Sequence, residues 1–190
     1  MELLKLRVLR DSVVHNQEML NVDDFLSHQV DVEFLETLAK EFKRRFEGKR
    51  ITKILTVEVS GIPIAVMTAR QFKVPVVYAK KGKSNFWSQE MYTAKIYSFT
   101  RNEDMTLRVP HNYLSEDDNV LIIDDILANG SNAEGLMEIC DYASASVAGF
   151  GCVLEKGFMT GGRMLRDLGI HVESLCVIDS MGPDGIKFRE

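Results

Sequence analysis

The chain has 190 residues, of which 45% are hydrophobic and 27% are charged. This composition is ordinary for a single globular domain and excludes a disordered chain. The formal net charge of −5 argues against general binding to nucleic acids or to acidic membranes. No apolar run is long enough to span a bilayer or to form a secretory signal, so we expect a soluble, cytoplasmic protein.

The residues that most often bind metals in proteins are scattered along this chain. The three cysteines form no C-x-x-C pair and the four histidines show no metal-like spacing. The sequence therefore predicts no zinc site, no disulfide framework and no metal site built by the protein alone.

The first clear helical pattern covers residues 32–46, where apolar residues such as Leu35 and Leu38 recur at helical spacing. Asp31 is suited to cap the start of this helix and Gly48 to end it. Strand-like and helical patterns then alternate, which predicts an α/β fold with a mainly parallel five-stranded sheet flanked by helices. The predicted strands are Ile51–Val59, Val74–Ala79, Val120–Asp125, Ser146–Leu154 and Val172–Ile178, and the predicted helices that follow residues 32–46 are Ile62–Phe72, 131–143 and 162–168.

One stretch interrupts this alternation. Tyr92–Thr100 and Met105–Val109 resemble strands and are separated by four turn-forming residues, which predicts an antiparallel hairpin beside the main sheet. A polar loop, Gly82–Glu90, precedes it. The glycine pair at 161–162, just before a predicted helix, is interpreted as turn-forming.

The segment Val120–Asn132 carries the clearest chemical signal. Four apolar residues predict a buried strand that ends in Asp124 and Asp125, and a loop of small residues follows. Ser131 and Glu134 have the spacing of a capping box, which predicts that a helix starts there. A helix N-terminus suits a phosphate, and the two carboxylates can accept hydrogen bonds from sugar hydroxyls. The residues alone thus indicate a sugar-phosphate site.

This segment resembles the phosphoribosyl pyrophosphate (PRPP) signature of type I phosphoribosyltransferases, and its loop is similar to that of the bacterial xanthine phosphoribosyltransferases. The resemblance extends over essentially the whole chain. It includes 23–29, 58–62, 97–100 and 154–156.

For PRPP, the resemblance implies a 5′-phosphate loop and an acidic pair at the ribose. The loop residues are Ala128, Asn129, Gly130, Ser131 and Asn132, and the pair of catalytic carboxylates is Asp124 and Asp125. It also implies Mg²⁺ that is bound mainly through PRPP, since a hard cation held by substrate and water needs no dedicated protein motif.

For the purine, the resemblance implies a site formed by Leu20, Ser27 and Lys156, and an activity that makes xanthosine monophosphate (XMP) from xanthine in purine salvage. A lysine can donate to an exocyclic oxygen of an oxopurine and would oppose the amino group of adenine. Ser27 departs from the asparagine that the family commonly has. Val59 is a second departure, in the loop that resembles the pyrophosphate loop.

The resemblance further implies one domain over 1–190 and a homodimer. Residues 1–48 would form a small hood over the purine, and 49–180 the core sheet with a flexible region at 80–110. Within that region Lys80–Glu90 matches the mobile loop that closes over PRPP in type I enzymes.

Two alternatives remain open from the sequence. One is a phosphoribosyltransferase for adenine or for hypoxanthine and guanine. The other is a purine regulator that binds PRPP without turnover, although only about 50 residues precede the first core strand and would have to form its DNA-binding module.

Overall fold

The computed structural model describes residues 1–15, 19–82, 90–98, 103–183 and 185–190. An eight-stranded mixed sheet forms its centre, with helices on both faces. The elements in chain order are α1 (Glu2–Asp11), β1 (Val13–His15), β2 (Met19–Asn21), α2 (Val32–Arg45), β3 (Lys53–Val57), α3 (Gly61–Phe72), β4 (Val76–Lys81), β5 (Met91–Ser98), β6 (Glu103–Pro110), β7 (Asn119–Leu127), α4 (Ser131–Tyr142), β8 (Ser146–Lys156), α5 (Gly161–Asp167), β9 (Val172–Gly182) and β10 (Gly185–Phe188).

The five strands predicted from apolar runs are the parallel part of this sheet, in the order β4-β3-β7-β8-β9. Their central members are buried on both faces, as parallel strands covered by helices must be. The carboxyl ends of parallel strands meet at one edge of the sheet, where ligands bind in open α/β folds. The acidic pair of β7 and Lys156 of β8 therefore lie near the same edge.

Antiparallel strands extend the sheet at both sides. The predicted hairpin is confirmed as β5 and β6, and β6 joins the end of β4 through the pairs Lys80–Arg108 and Lys81–Leu107. The residues between the two strands, 99–102, lie outside the described residues. At the other side β10, which the pattern did not predict, pairs with β9.

The N-terminal region packs on one face of the sheet. After α1 the chain forms the short hairpin of β1 and β2, then a π-helical turn over Asp23–Ser27, and then α2. Asp31 caps α2 as predicted, since its side chain accepts a hydrogen bond from the Phe34 N–H at 3.1 Å. Leu4 and Val8 of α1 are fully buried.

Two hydrophobic clusters fill the two sides of the sheet. One joins the N-terminal region and α2 to β3, β7, β8 and β9, and the other joins α4 and the β5–β6 hairpin to the opposite face. Within the described ranges, no helix has the length and apolar character needed to cross a membrane.

Candidate active site

The acidic pair lies within β7 and not after its end. The strand continues to Leu127, two residues beyond Asp125, and both carboxylates are buried, with 2% of Asp124 and 8% of Asp125 exposed. One Asp124 oxygen accepts the N–H of Asp125 at 3.0 Å, and the other accepts the side-chain amide of Asn132 at 3.3 Å. The structure thus brings the predicted acidic pair and the predicted phosphate loop into direct contact.

Burial, followed by the neighbouring charge of Asp125, raises the pKa of Asp124 well above its ordinary value. A cation placed near Asp124 would favour the ionised form of this carboxyl, so the site favours positive charge. A group that develops positive charge at a reacting carbon would be stabilised in the same way.

The phosphate loop turns sharply at Gly130 and opens α4 directly. Gly130 has φ of 94° and stands before the first helical residue, Ser131, whose N–H donates to the side-chain oxygen of Asn129 at 3.2 Å. The N–H of Glu134 donates to the Gly130 carbonyl at 2.9 Å, and helix geometry leaves the N–H groups of Asn132 and Ala133 without a partner inside the helix. Such groups suit a phosphate.

The predicted capping box of Ser131 and Glu134 is wrong. Ser131 lies inside the helix, where its side chain makes no capping hydrogen bond. The reason is the left-handed conformation of Gly130, which moves the cap position one residue earlier than the S-x-x-E spacing implies. The Asn129 side-chain oxygen, one residue before the cap position, accepts the N–H of Ser131 instead.

A second segment that the sequence did not assign to the site supports the phosphate loop from below. The N–H of Gly161 donates to the Ala128 carbonyl at 3.0 Å, and the Thr160 hydroxyl lies 3.4 Å from the Asn129 carbonyl. A Cβ at Gly161 would lie 2.6 Å from the Ala128 oxygen, so only glycine permits this approach. The glycine pair, interpreted as turn-forming, instead begins α5 and packs against the loop. The pattern carried no signal for this contact between distant segments.

The loop between β3 and α3 lies beside the acidic pair. A Cβ at Gly61 would come within 2.8 Å of an Asp124 carboxylate oxygen. The Glu58–Val59 peptide bond in this loop is cis, and the Val59 side chain is 75% exposed. The Glu58 carboxylate accepts the N–H of Lys81 at 2.5 Å, which ties this loop to the end of β4.

The predicted purine residues lie on the N-terminal region and on β8. Leu20 is buried in the hydrophobic cluster that also contains Leu154, two residues before Lys156. Ser27 ends the π-helical turn and is half-buried, as is Lys156, the last residue of β8. The N-terminal region and this end of β8 thus share one side of the sheet.

The predicted mobile loop falls mainly outside the described residues, which omit 83–89 and thus Lys83, Phe86 and Trp87. Lys80 and Lys81 belong to β4 and not to a loop. Among the residues that the structure describes, no group of three or more histidine, cysteine, aspartate or glutamate side chains is placed to hold a metal ion.

Comparison with known proteins shows the family to which these features belong. Residues 21–160 match the phosphoribosyl transferase domain. The xanthine phosphoribosyltransferases of Clostridium novyi and Ruminiclostridium cellulolyticum are 48% and 46% identical to this chain, and each match covers 100% of both chains.

Among solved structures, the adenine phosphoribosyltransferase of Rhodothermus marinus matches with a TM-score of 0.74, at 20% identity over 93% of this chain and 96% of that one. The Trypanosoma brucei adenine enzyme matches with a TM-score of 0.75, at 17% identity over 92% of this chain and 78% of that one. At such identities the likeness shows the fold alone. The domain match and the full-length relatives show that the chain belongs to the phosphoribosyl transferase family.

Proposed function

We propose that this protein transfers the phosphoribosyl group of PRPP to xanthine and releases XMP and pyrophosphate. The bond from C1′ to the pyrophosphate oxygen breaks, the bond from C1′ to a base nitrogen forms, and the base gives up the proton of that nitrogen. The observation that carries the proposal is the hydrogen bond between Asp124 and Asn132, which joins an acidic pair to a helix-opening loop. The full-length likeness to xanthine phosphoribosyltransferases supports the choice of base.

In this proposal the 5′-phosphate binds the loop from Ala128 to Asn132. The start of α4 offers N–H donors and the positive end of the helix dipole, and Gly130 keeps the approach free of a side chain. Asp124 and Asp125 accept hydrogen bonds from the ribose hydroxyls and stabilise the positive charge that develops at C1′ as pyrophosphate leaves. The β3–α3 loop beside Asp124 suits the pyrophosphate end.

We further propose that Mg²⁺ binds with PRPP. The two carboxylates of β7 are oxygen donors of the kind that Mg²⁺ prefers, and PRPP oxygens and water would supply its other ligands. When bound, the ion neutralises charge on the leaving pyrophosphate.

The purine would lie between the N-terminal region, at Leu20 and Ser27, and Lys156. The Lys156 ammonium has only donors, so it favours an oxopurine over the exocyclic amino group of adenine. We propose that the chain is a single domain over residues 1–190, with residues 1–48 as the hood and 80–110 as its flexible part. We also propose that it is a cytoplasmic homodimer with no nucleic-acid or membrane partner.

The test is turnover with PRPP and Mg²⁺ for xanthine, guanine, hypoxanthine and adenine. We expect xanthine to be the preferred base. Asp125→Asn should lose roughly 100-fold or more in kcat with every base, since it removes charge needed in the transition state. Lys156→Ala should change the order of bases more than the KM for PRPP. Adenine turned over as well as xanthine, or an Asp125→Asn enzyme with full activity, would contradict the proposal.

A further inference from the structure

An ion pair with a buried carboxylate lies at the end of β8, immediately beside the proposed purine lysine. The two terminal guanidinium nitrogens of Arg166, Nη1 and Nη2, each donate to one oxygen of the Glu155 carboxylate at 2.8 Å, and the Ser174 hydroxyl also donates to it. The Glu155 side chain is 3% exposed. Burial alone would raise the pKa of Glu155, but the hydrogen bonds from Arg166 and Ser174 hold it below its ordinary value. The pair is therefore ionised at neutral pH.

The same arginine belongs to the helix that supports the phosphate loop. Arg166 lies in α5, whose first residue, Gly161, donates its N–H to Ala128. Met164 of the same helix also contacts the loop, because a Cβ at Gly130 would lie 2.5 Å from its terminal methyl. Helix α5 thus contacts both the phosphate loop and Glu155.

The contact between α5 and β8 is close enough to require glycine. A Cβ at Gly162 would collide with the Glu155 carboxylate and would lie 2.6 Å from a guanidinium nitrogen of Arg166. A bidentate pair fixes distance and orientation together, whereas its net contribution to stability is small, because the Glu155 carboxylate is desolvated and Arg166 is 41% exposed to water. This geometry suits an ion pair that holds α5 and β8 at a fixed distance and orientation.

The proposed purine site lies at the same end of β8, on the face of the sheet opposite α5. Leu154 packs in the cluster that contains Leu20 and the N-terminal region, whereas Glu155 binds Arg166 of α5. Lys156 follows Glu155 directly in β8, so it is the chain neighbour of the residue that α5 holds.

We infer that Arg166 is a positioning residue: by binding Glu155 it sets the phosphate loop and Lys156 at a fixed separation, and so couples the PRPP site to the base site. Arg166 touches neither substrate in this scheme. The inference rests on the proposed function. It predicts that loosening the ion pair displaces both sites together, and a displacement of about 1 Å can cost as much as 100-fold in rate.

The test compares Arg166→Met and Arg166→Lys with a matched control. Lys53→Met removes another ion pair with a buried carboxylate, between Lys53 and Asp118 at 2.7 Å, which lies at the start of β3 and β7, the opposite edge of the sheet. Tm, kcat and both KM values would be measured for each. We expect Arg166→Met to raise the KM for PRPP and for xanthine by roughly tenfold each. The KM values of Arg166→Lys should fall between those of Arg166→Met and the wild type. Lys53→Met should have a lower Tm, with both KM values within about twofold of wild type.

Three results would overturn the inference: unchanged KM values in Arg166→Met, a rise in only one of them, or equal rises in Lys53→Met. Should Arg166→Met fail to fold, Glu155→Gln provides the same comparison, since it removes the charge and keeps the shape. A wild-type enzyme that does not turn over xanthine would instead contradict the proposed function.

Discussion

Asp124 is a carboxyl whose protonation is set by its surroundings. It is buried, it adjoins Asp125, and its hydrogen bonds from the Asp125 N–H and from Asn132 only partly offset these effects. The sequence placed Asp124 and Asp125 together but treated them alike. The two carboxylates differ in burial and in hydrogen-bond partners because of how β7 and α4 pack. The spacing of residues in the sequence does not reveal that packing.

Replacing Asp124 by asparagine should stabilise the protein at neutral pH and abolish most of its activity. The unfolded chain releases the Asp124 proton near the ordinary pKa of about 3.9, whereas the folded chain holds it to higher pH. Stability contributed by this proton is present below about pH 4 and is lost as the pH rises through the raised folded pKa. Asparagine never ionises and avoids that loss. Each 1 kcal/mol gained should raise Tm by roughly 2–4 °C in thermal unfolding at pH 8.

Asp118 is a matched control, because replacing it should change the stability in the opposite direction. Burial alone would raise its pKa, but hydrogen bonds from Lys53, the Ser115 N–H and Thr52 lower it below the ordinary value. Asp118→Asn should therefore lower Tm at pH 8. A Tm of Asp124→Asn that is below wild type at pH 8, or a gain that persists unchanged at pH 3, would show that Asp124 is not the destabilising group described.

The phosphate loop and α5 behave as one element. Two features require glycine at position 130: its φ is 94°, and a Cβ would lie 3.0 Å from the Gly161 backbone. Such contacts join residues about 30 positions apart. The sequence identified the loop but could not show what lies beneath it.

Gly130→Ala should lower both stability and PRPP binding. The left-handed backbone costs about 1–2 kcal/mol for a residue with a Cβ, and the collision with Met164 and Gly161 must also displace the loop. We expect roughly a tenfold or larger increase in the KM for PRPP. Steady-state kinetics and thermal unfolding would measure the two effects separately.

Gly48→Ala is the control for Gly130→Ala, because it introduces the same backbone strain without a steric collision. Gly48 follows α2, has φ of 79°, and has open space where a Cβ would lie. The Gly48→Ala variant should lose a similar amount of stability, about 1–2 kcal/mol, and should keep the wild-type KM for PRPP. If Gly130→Ala keeps the wild-type KM as well, the close approach does not position the phosphate loop.

At the scale of elements, the sequence predicted what apolar runs and turn residues determine. The five parallel strands, the β5–β6 hairpin and the Asp31 cap are confirmed. The elements that the pattern missed gave weak periodic signals. Strands β1 and β2 have three residues each, which is too few for a period, and α1 has exposed leucines (Leu3, Leu6 and Leu9) beside the buried Leu4 and Val8. These elements form because the sheet offers a surface to cover.

The N-terminal region contacts both β9 and the C-terminal residues. The N-terminal ammonium donates to the Leu175 carbonyl at 3.1 Å, and Lys5 donates to the Arg189 carbonyl at 3.1 Å. One hydrophobic cluster contains residues of α1, of the turn before α2 and of four core strands. The hood region and the sheet therefore share a core, which favours one cooperative unit over two.

This shared core predicts a single unfolding transition for residues 1–190, and the proposed homodimer predicts that its midpoint rises with protein concentration. Leu4 is fully buried in the shared cluster, so Leu4→Ala should destabilise the whole chain by about 2–5 kcal/mol and shift the transition without splitting it. Thermal unfolding at two concentrations, followed by far- and near-ultraviolet circular dichroism, tests both statements. A separate early transition in Leu4→Ala would show that the hood region is a domain of its own, and a midpoint independent of concentration would contradict the homodimer.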